Sequence, residues 1–160
     1  IKKRWGKIDL LFNNAGVYRE GSAEATHHDF DETFDINMRG SFNFLHEIVP
    51  DMKLRKAGTI INLASIAGVH GFSESGVYVA SKFAMVGMNE SLYRELSPLG
   101  IRVSAICPHW VNTEMGKDAS IPPEERIQPV DILETIRFLL KLPNAVTVKE
   151  LVLGNRLHPL

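Results

Sequence analysis

Four short apolar runs, each separated from the next by a segment with helical periodicity, leave few folds open to this chain. Residues 8–12 run into Asn13-Asn14-Ala15-Gly16, which reads as a buried strand followed by a turn. Gly58 leads into residues 59–64, a second buried strand rich in branched residues, with Ser65 at its C-terminal end. Residues 101–106 predict a third strand and residues 148–153 a fourth. Between the first two strands, Thr26 with Asp29 three residues on resembles a capping box. It opens a long helical segment carrying Phe30, Phe34, Met38, Phe42, Leu45 and Val49 at helical spacing, which Pro50 is expected to kink or interrupt. Ser73 or Ser75 is expected to cap a second helix reaching about Leu96, where Pro98 and Gly100 stop it. Pro129 suits the first turn of a third helix, with Ile132, Ile136 and Leu139 on its apolar face. Such alternation predicts an α/β fold: a doubly wound parallel sheet with helices on both faces, three layers in all.

Ligands on parallel sheets bind beyond the carboxyl ends of the strands. The Asn13–Gly16 turn, Ser65 and the loop starting at Pro108 all fall at that edge. Just beyond it stands Tyr78-Val79-Ala80-Ser81-Lys82, with Ser65 thirteen residues upstream. A tyrosine and a lysine four apart share one helix face. An ammonium beside a phenol favours the phenolate, so Lys82 is expected to lower the Tyr78 pKa and make the phenol a proton donor or acceptor. Read alone, the pair is also compatible with an ordinary helix residue and a solvated partner.

Composition narrows the classes. A chain of 160 residues suffices for one domain with a core, taken here as residues 1–160. The formal charge of −1 gives no electrostatic reason to expect nucleic acid or an anionic membrane as partner. No apolar run approaches a membrane span. The single Cys107 excludes an internal disulfide framework and a cysteine-rich zinc site, and fits a reducing, cytoplasmic compartment. His27 and His28, adjacent in a first helical turn, face different directions and read as a solvated pair, so no metal is expected. Residues 1–7 lack the apolar stretch of a signal peptide and read as a frayed helix end that Gly6 caps. The chain is therefore expected to begin partway through a longer domain.

Taken in order, these elements resemble a classical short-chain dehydrogenase/reductase. Asn13-Asn14-Ala15-Gly16 matches the family's turn, Asn37 its helical asparagine, and Ser65 in Asn62-Leu63-Ala64-Ser65 its serine. Tyr78 and Lys82 match its tyrosine and lysine, and Pro108 to Thr113 resembles its Pro-Gly-x-x-x-Thr loop. The resemblance implies a Rossmann-like fold and hydride transfer between NAD or NADP and a small carbonyl or secondary alcohol. It implies catalytic roles for Asn37, Ser65, Tyr78 and Lys82. It places Asn14, Ala15, Gly16, Asn37, Tyr78, Lys82, Pro108, Val111 and Thr113 against the cofactor, and implies a homo-oligomer. No Gly-x-x-x-Gly-x-Gly occurs, so the N-terminal strands and phosphate loop of the family are absent and NAD is not distinguished from NADP. The alternative this leaves is a noncatalytic derivative acting as a binding module. His109 stands where the family has glycine, so an altered loop is expected if that position needs positive φ. Thr113 is compatible with a helix cap or a carboxamide ligand. His70, Phe72 and His109 are compatible with substrate contact or plain exposure, and Met115 and Ile121 with a lid over the substrate.

Overall fold

In the computed structural model, which describes Arg4 and residues 6–117 and 119–157, the four strands lie in chain order in one wholly parallel sheet. They are β1 (Leu10–Asn13), β2 (Gly58–Leu63), β3 (Ile101–Pro108) and β4 (Glu150–Leu153). Each is followed or preceded by a crossover helix: α1 (His27–Phe34), α2 (Ser41–Arg55), α3 (Gly76–Leu96) and α4 (Pro129–Lys141). Register sets Ile60 against Val103 and Ile61 against Ser104. Alternation along the strands then sends neighbours to opposite faces.

One face is closed by α2 and α3, whose Leu45, Ile48, Met52 and Leu96 pack on Ile60, Ile101 and Val103. The other is closed by α4, through Ile132 and Leu139 on Ile61 and Ile106. Helices on both faces give the α/β/α arrangement expected from the alternation. Arg102 closes the end of α4 by donating to the carbonyls of Leu139 and Leu142, both at 3.2 Å. On β1, Leu11 is buried toward α2, whereas Leu10 and Phe12 are exposed.

Several local expectations meet corrections. Thr26 does cap α1, accepting from the Asp29 amide at 3.1 Å. The helical segment continues through a π-helical turn, Asp35–Gly40, directly into α2. Pro50 does not interrupt α2, which runs on to Arg55. Pro50 and His46, whose carbonyl loses its usual donor, both lie on the exposed side where water can serve. Ser75 occupies the N-cap position of α3 but makes no cap bond. Instead the Gly76 amide donates to Ser22 Oγ at 2.9 Å. Gly6 has φ +76°, as a helix-ending glycine would. Residues 1–3 and 5 of the expected N-terminal helix lie outside the described residues. Ile121 is buried and Met115 exposed.

Candidate active site

The site is assembled where β2 ends and α3 begins. Ser65 follows β2 in extended conformation, and its Oγ accepts from the Ala67 amide at 3.1 Å, starting the short turn Ile66–Gly68. That turn lies flat on α3. A Cβ at Gly68 would stand 2.8 Å from the Lys82 carbonyl oxygen and 2.7 Å from Val86 Cγ2, so only glycine permits the approach. Tyr78 is the third residue of α3, and the Ser65 hydroxyl is within hydrogen-bonding reach of its phenol, where it favours the phenolate. Lys82, one turn on, is 4% exposed. Its Nζ lies 5.6 Å from the Tyr78 ring centroid and donates to the Leu63 carbonyl at 3.2 Å.

Burial reverses one expectation. Tyr78 is not pulled down by Lys82. Its pKa is raised, chiefly by burial, while the Ser65 hydrogen bond pulls the other way and Tyr18 adds to the rise. The ammonium sits over the ring and donates to a backbone carbonyl. Lys82 itself is pushed down to about 8 from 10.5, because burial penalises its charge. Tyr18 packs edge-on against the Tyr78 ring, with centroids 5.2 Å apart, and its hydroxyl meets Ser75 Oγ at 3.1 Å. Nothing in the sequence singled out Tyr18.

Asn37, wholly buried in the π-helical turn, ties three segments together. Its Oδ1 accepts from Val17 N at 2.8 Å, and its Nδ2 donates to Val17 O and Ser81 Oγ, both at 3.0 Å. Ser81 in turn donates to the Tyr78 carbonyl at 2.7 Å. A wide π turn is a common device for re-aiming a side chain at a functional site. A Cβ on Gly16 would lie 3.4 Å from both Asn37 Oδ1 and Lys82 Nζ, so the turn after β1 reaches the same spot. Asn14 and Ala15, beside it, are exposed at the sheet edge. Beneath them runs a buried amide relay. Asn13 donates to Asn62 at 2.8 Å, Asn62 to Asn89 at 2.9 Å, and Asn89 to the Lys149 carbonyl at 3.0 Å.

Beyond β3 the loop turns after the buried Pro108. Lys56 and Glu74 are the non-glycine residues with positive φ among those described, so His109 carries none of the strain expected from replacing glycine. Val111 bridges Ile127, and a Cβ on Gly116 would fall 2.3 Å from the Val111 carbonyl oxygen. Thr113 stands at the N-cap position of the turn Glu114–Gly116 but makes no cap bond, and it is exposed. That outcome removes the cap reading. Arg126, buried, donates to the carbonyls of Ile121, Lys117 and Ala119 and gathers the far limb of the loop. Phe72 is exposed and edge-on to His109 at 6.5 Å. Burial pushes the Cys107 thiol up to about 12, which makes it unreactive. Among the described residues, no group of three His, Cys, Asp or Glu is placed to hold a metal, and no helix is long and apolar enough to cross a membrane.

Comparison with known proteins bears on this arrangement. A family model for the short chain dehydrogenase matches residues 1–123. An uncharacterized oxidoreductase of Staphylococcus saprophyticus is 33% identical over 154 residues, covering 93% of this chain and 64% of the relative. The 3-oxoacyl-acyl-carrier-protein reductase of Staphylococcus aureus is 31% identical over 150 residues, covering 87% of this chain and 61% of that protein. Among solved structures, a β-ketoacyl-ACP reductase from Bacteroides thetaiotaomicron superposes with a TM-score of 0.80 at 39% identity, covering 97% of this chain and 65% of the other. An alcohol dehydrogenase from the archaeon Thermococcus sibiricus, complexed with 5-hydroxy-NADP, superposes with a TM-score of 0.87 at 27% identity, covering 99% and 68%. The chain spans less than two thirds of the length of the curated relatives it matches.

Proposed function

Because this chain belongs to the short chain dehydrogenase family, we propose that it transfers hydride between a nicotinamide dinucleotide and a carbonyl or secondary alcohol, with Tyr78 as proton donor and acceptor. One observation carries the reading. The Ser65 hydroxyl, the Tyr78 phenol and the Lys82 ammonium, drawn from the turn after β2 and from α3, converge at the carboxyl edge of a parallel sheet. Their intact convergence favours an enzyme over a noncatalytic binding module.

The residues suit a dinucleotide, NAD or NADP. Asn14 and Ala15 offer exposed backbone at the sheet edge, and Gly16 leaves the Lys82 ammonium uncrowded on that side. Asn14, Ala15 and Gly16 would lie against the adenosine ribose, Lys82 would hydrogen-bond the nicotinamide ribose, and Thr113 with the backbone near Pro108 and Val111 would hold the carboxamide. The solved alcohol dehydrogenase holding 5-hydroxy-NADP supports that cofactor class. When bound, the nicotinamide supplies or accepts the hydride.

The protein handles the proton. Burial keeps Tyr78 in its phenol form at neutral pH, which suits donation to a carbonyl oxygen during reduction. Ser65 would hydrogen-bond the same oxygen and stabilise its growing charge. For alcohol oxidation the phenolate would take the proton. The Ser65 hydrogen bond and the N-terminal position on α3 both favour that form. Asn37, fixed between Val17 and Ser81, would hold a water connecting Lys82 to solvent. The same reading makes the protein a homo-oligomer. Phe42 and Phe44 on α2 and Phe83 on α3 are exposed apolar side chains suited to packing between subunits.

Tyr78→Phe tests the mechanism. Turnover should fall by roughly 10²- to 10⁴-fold, while cofactor affinity measured by fluorescence titration stays within about twofold, because the lost group is a proton carrier. Turnover equal to the parent enzyme removes Tyr78 from the proton-transfer role.

A further inference from the structure

Asn155 lies two residues beyond β4, is 4% exposed, and puts both ends of its amide to use on the loop that follows β3. Its Oδ1 accepts from the Trp110 amide at 3.0 Å and meets His109 Nδ1 at 2.7 Å. Its Nδ2 donates to the Trp110 carbonyl at 3.4 Å and the Glu125 carbonyl at 3.2 Å. These partners leave no choice of amide orientation. A peptide N–H only donates, so the atom facing it is oxygen. Peptide carbonyls only accept, so the group facing them is NH2. Oδ1 is then an acceptor toward His109 as well, and Nδ1 must carry a proton. A histidine's tautomer follows from the bond one ring nitrogen makes. The ring so fixed stands edge-on to Phe72 and to Trp110, at 6.5 and 5.9 Å.

We propose that Asn155 is the positioning residue of the loop from Pro108 to Thr113, holding His109 as the Nδ1–H tautomer and thereby setting the path of the backbone that carries Val111 and Thr113. The role of that backbone against a nicotinamide rests on the function proposed above, whereas the side-chain lock does not. The loop's other ties run along its far limb and to β4. The His109 amide bonds Leu153 O and the Asn112 amide bonds Ile127 O, both at 2.8 Å, the Ile127 amide bonds Trp110 O at 3.0 Å, and Asn112 Nδ2 bonds Gln128 Oε1 at 3.1 Å; none of them engages the His109 ring. With a side chain at 109 and ordinary φ there, the lock does by hydrogen bonding what a glycine turn does by backbone conformation.

The test uses the ¹⁵N-labelled chain without cofactor, so failure of the lock and failure of the hydride-transfer reading are distinguishable. Ring nitrogens are observed by NMR above the histidine titration range, and the His109 signals are assigned by their loss in His109→Gln. The wild type should show a protonated Nδ1 and an unprotonated Nε2, and Asn155→Ala should show both tautomers mixed. Amide exchange at Trp110 and Asn112 should quicken about tenfold or more in Asn155→Ala, with exchange at Ile60 and Ile61 in β2 unchanged. An Nε2–H tautomer in the wild type overturns the proposal, as does unaltered exchange at both loop amides. If Asn155→Ala does not fold, the wild-type spectrum and the exchange rates of His109→Ala decide in the same directions.

Discussion

The two limbs of the candidate site are built by different physics. The limb from Leu63 to Lys82 is set by backbone: a strand end, a turn laid on a helix through Gly68, and two side chains one helical turn apart. The limb from Pro108 to Gln128 has a bridge, short turns and no long regular element, and is drawn into place by side chains reaching from elsewhere. Asn155 holds its near part and Arg126 its far part. The first limb is anchored in the core at both ends, at the end of β2 and along α3, on either side of the exposed residues 70–74. The second depends on a few polar contacts, so single substitutions should loosen it without touching the sheet.

The sharpest probe of the first limb is Lys82→Met. A buried Lys82 with a pKa of about 8, down from 10.5, is charged at neutral pH at the expense of the fold. Its lowered pKa is worth about 3 kcal/mol. The folded state loses the proton near pH 8 and the unfolded state near 10.5. Stability from this group therefore rises with pH across that window and is lost again as pH falls through 8. Lys82→Met should abolish the rise and stabilise the chain by up to about 3 kcal/mol near pH 7 in urea melts, while turnover falls about a hundredfold or more. A variant both less stable and fully active contradicts the assignment of Lys82 as a functional group held in place against its own burial.

Arg126→Met is the matching probe of the second limb. It removes the donor that Arg126 supplies to the carbonyls of the buried Ile121 and the half-buried Ala119, and to that of Lys117. A cost of about 2 kcal/mol is expected, with amide exchange quickening in residues 119–126 and unchanged in α3. Gly68→Ala returns to the first limb with an effect of about 1–3 kcal/mol. Its Cβ meets the Lys82 carbonyl, which belongs to the helix backbone and cannot rotate away, so the Ser65 turn must lift off α3. Turnover should fall more than stability alone explains. If Gly68→Ala left kcat intact, the distance between Ser65 and Tyr78 would not be under tight control.

How much of each limb was legible in the sequence follows from the same distinction. Strand and helix periodicity place Ser65, Tyr78 and Lys82 at one edge because those positions are local consequences of chain direction. Asn37 was visible as a residue type. Its burial between Val17 and Ser81 depends on a π turn that hydrophobic spacing does not reveal. The expected fall in the Tyr78 pKa failed because spacing reports that a lysine is near, not how much water both groups have lost. Asn155 and Arg126 carried no signal, since their partners lie in a segment without periodicity and, for Asn155, 30 or more positions away.

The smallest effect bears on where the two kinds of construction meet. The helix bearing Tyr78 and Lys82 was expected to be capped by a neighbouring serine, Ser73 or Ser75. The Ser75 hydroxyl instead faces Tyr18, and the first amide of α3 is met by Ser22, 54 residues earlier. Around it the chain segments exchange backbone bonds, Gly21 N to Glu74 O at 2.6 Å and Val77 N to Gly21 O at 3.3 Å. Even the limb set by backbone is therefore docked at its start by a distant loop, the one that also carries Tyr18 against the Tyr78 ring. Ser22→Ala should lower stability by about 1 kcal/mol, the usual cost of a lost N-cap, and should quicken exchange at Gly76 and Val77 before any other part of α3. Ser75→Ala should leave those two amides unchanged. The reverse pattern would mean that α3 caps itself locally and that the loop bearing Tyr18 merely rests against it.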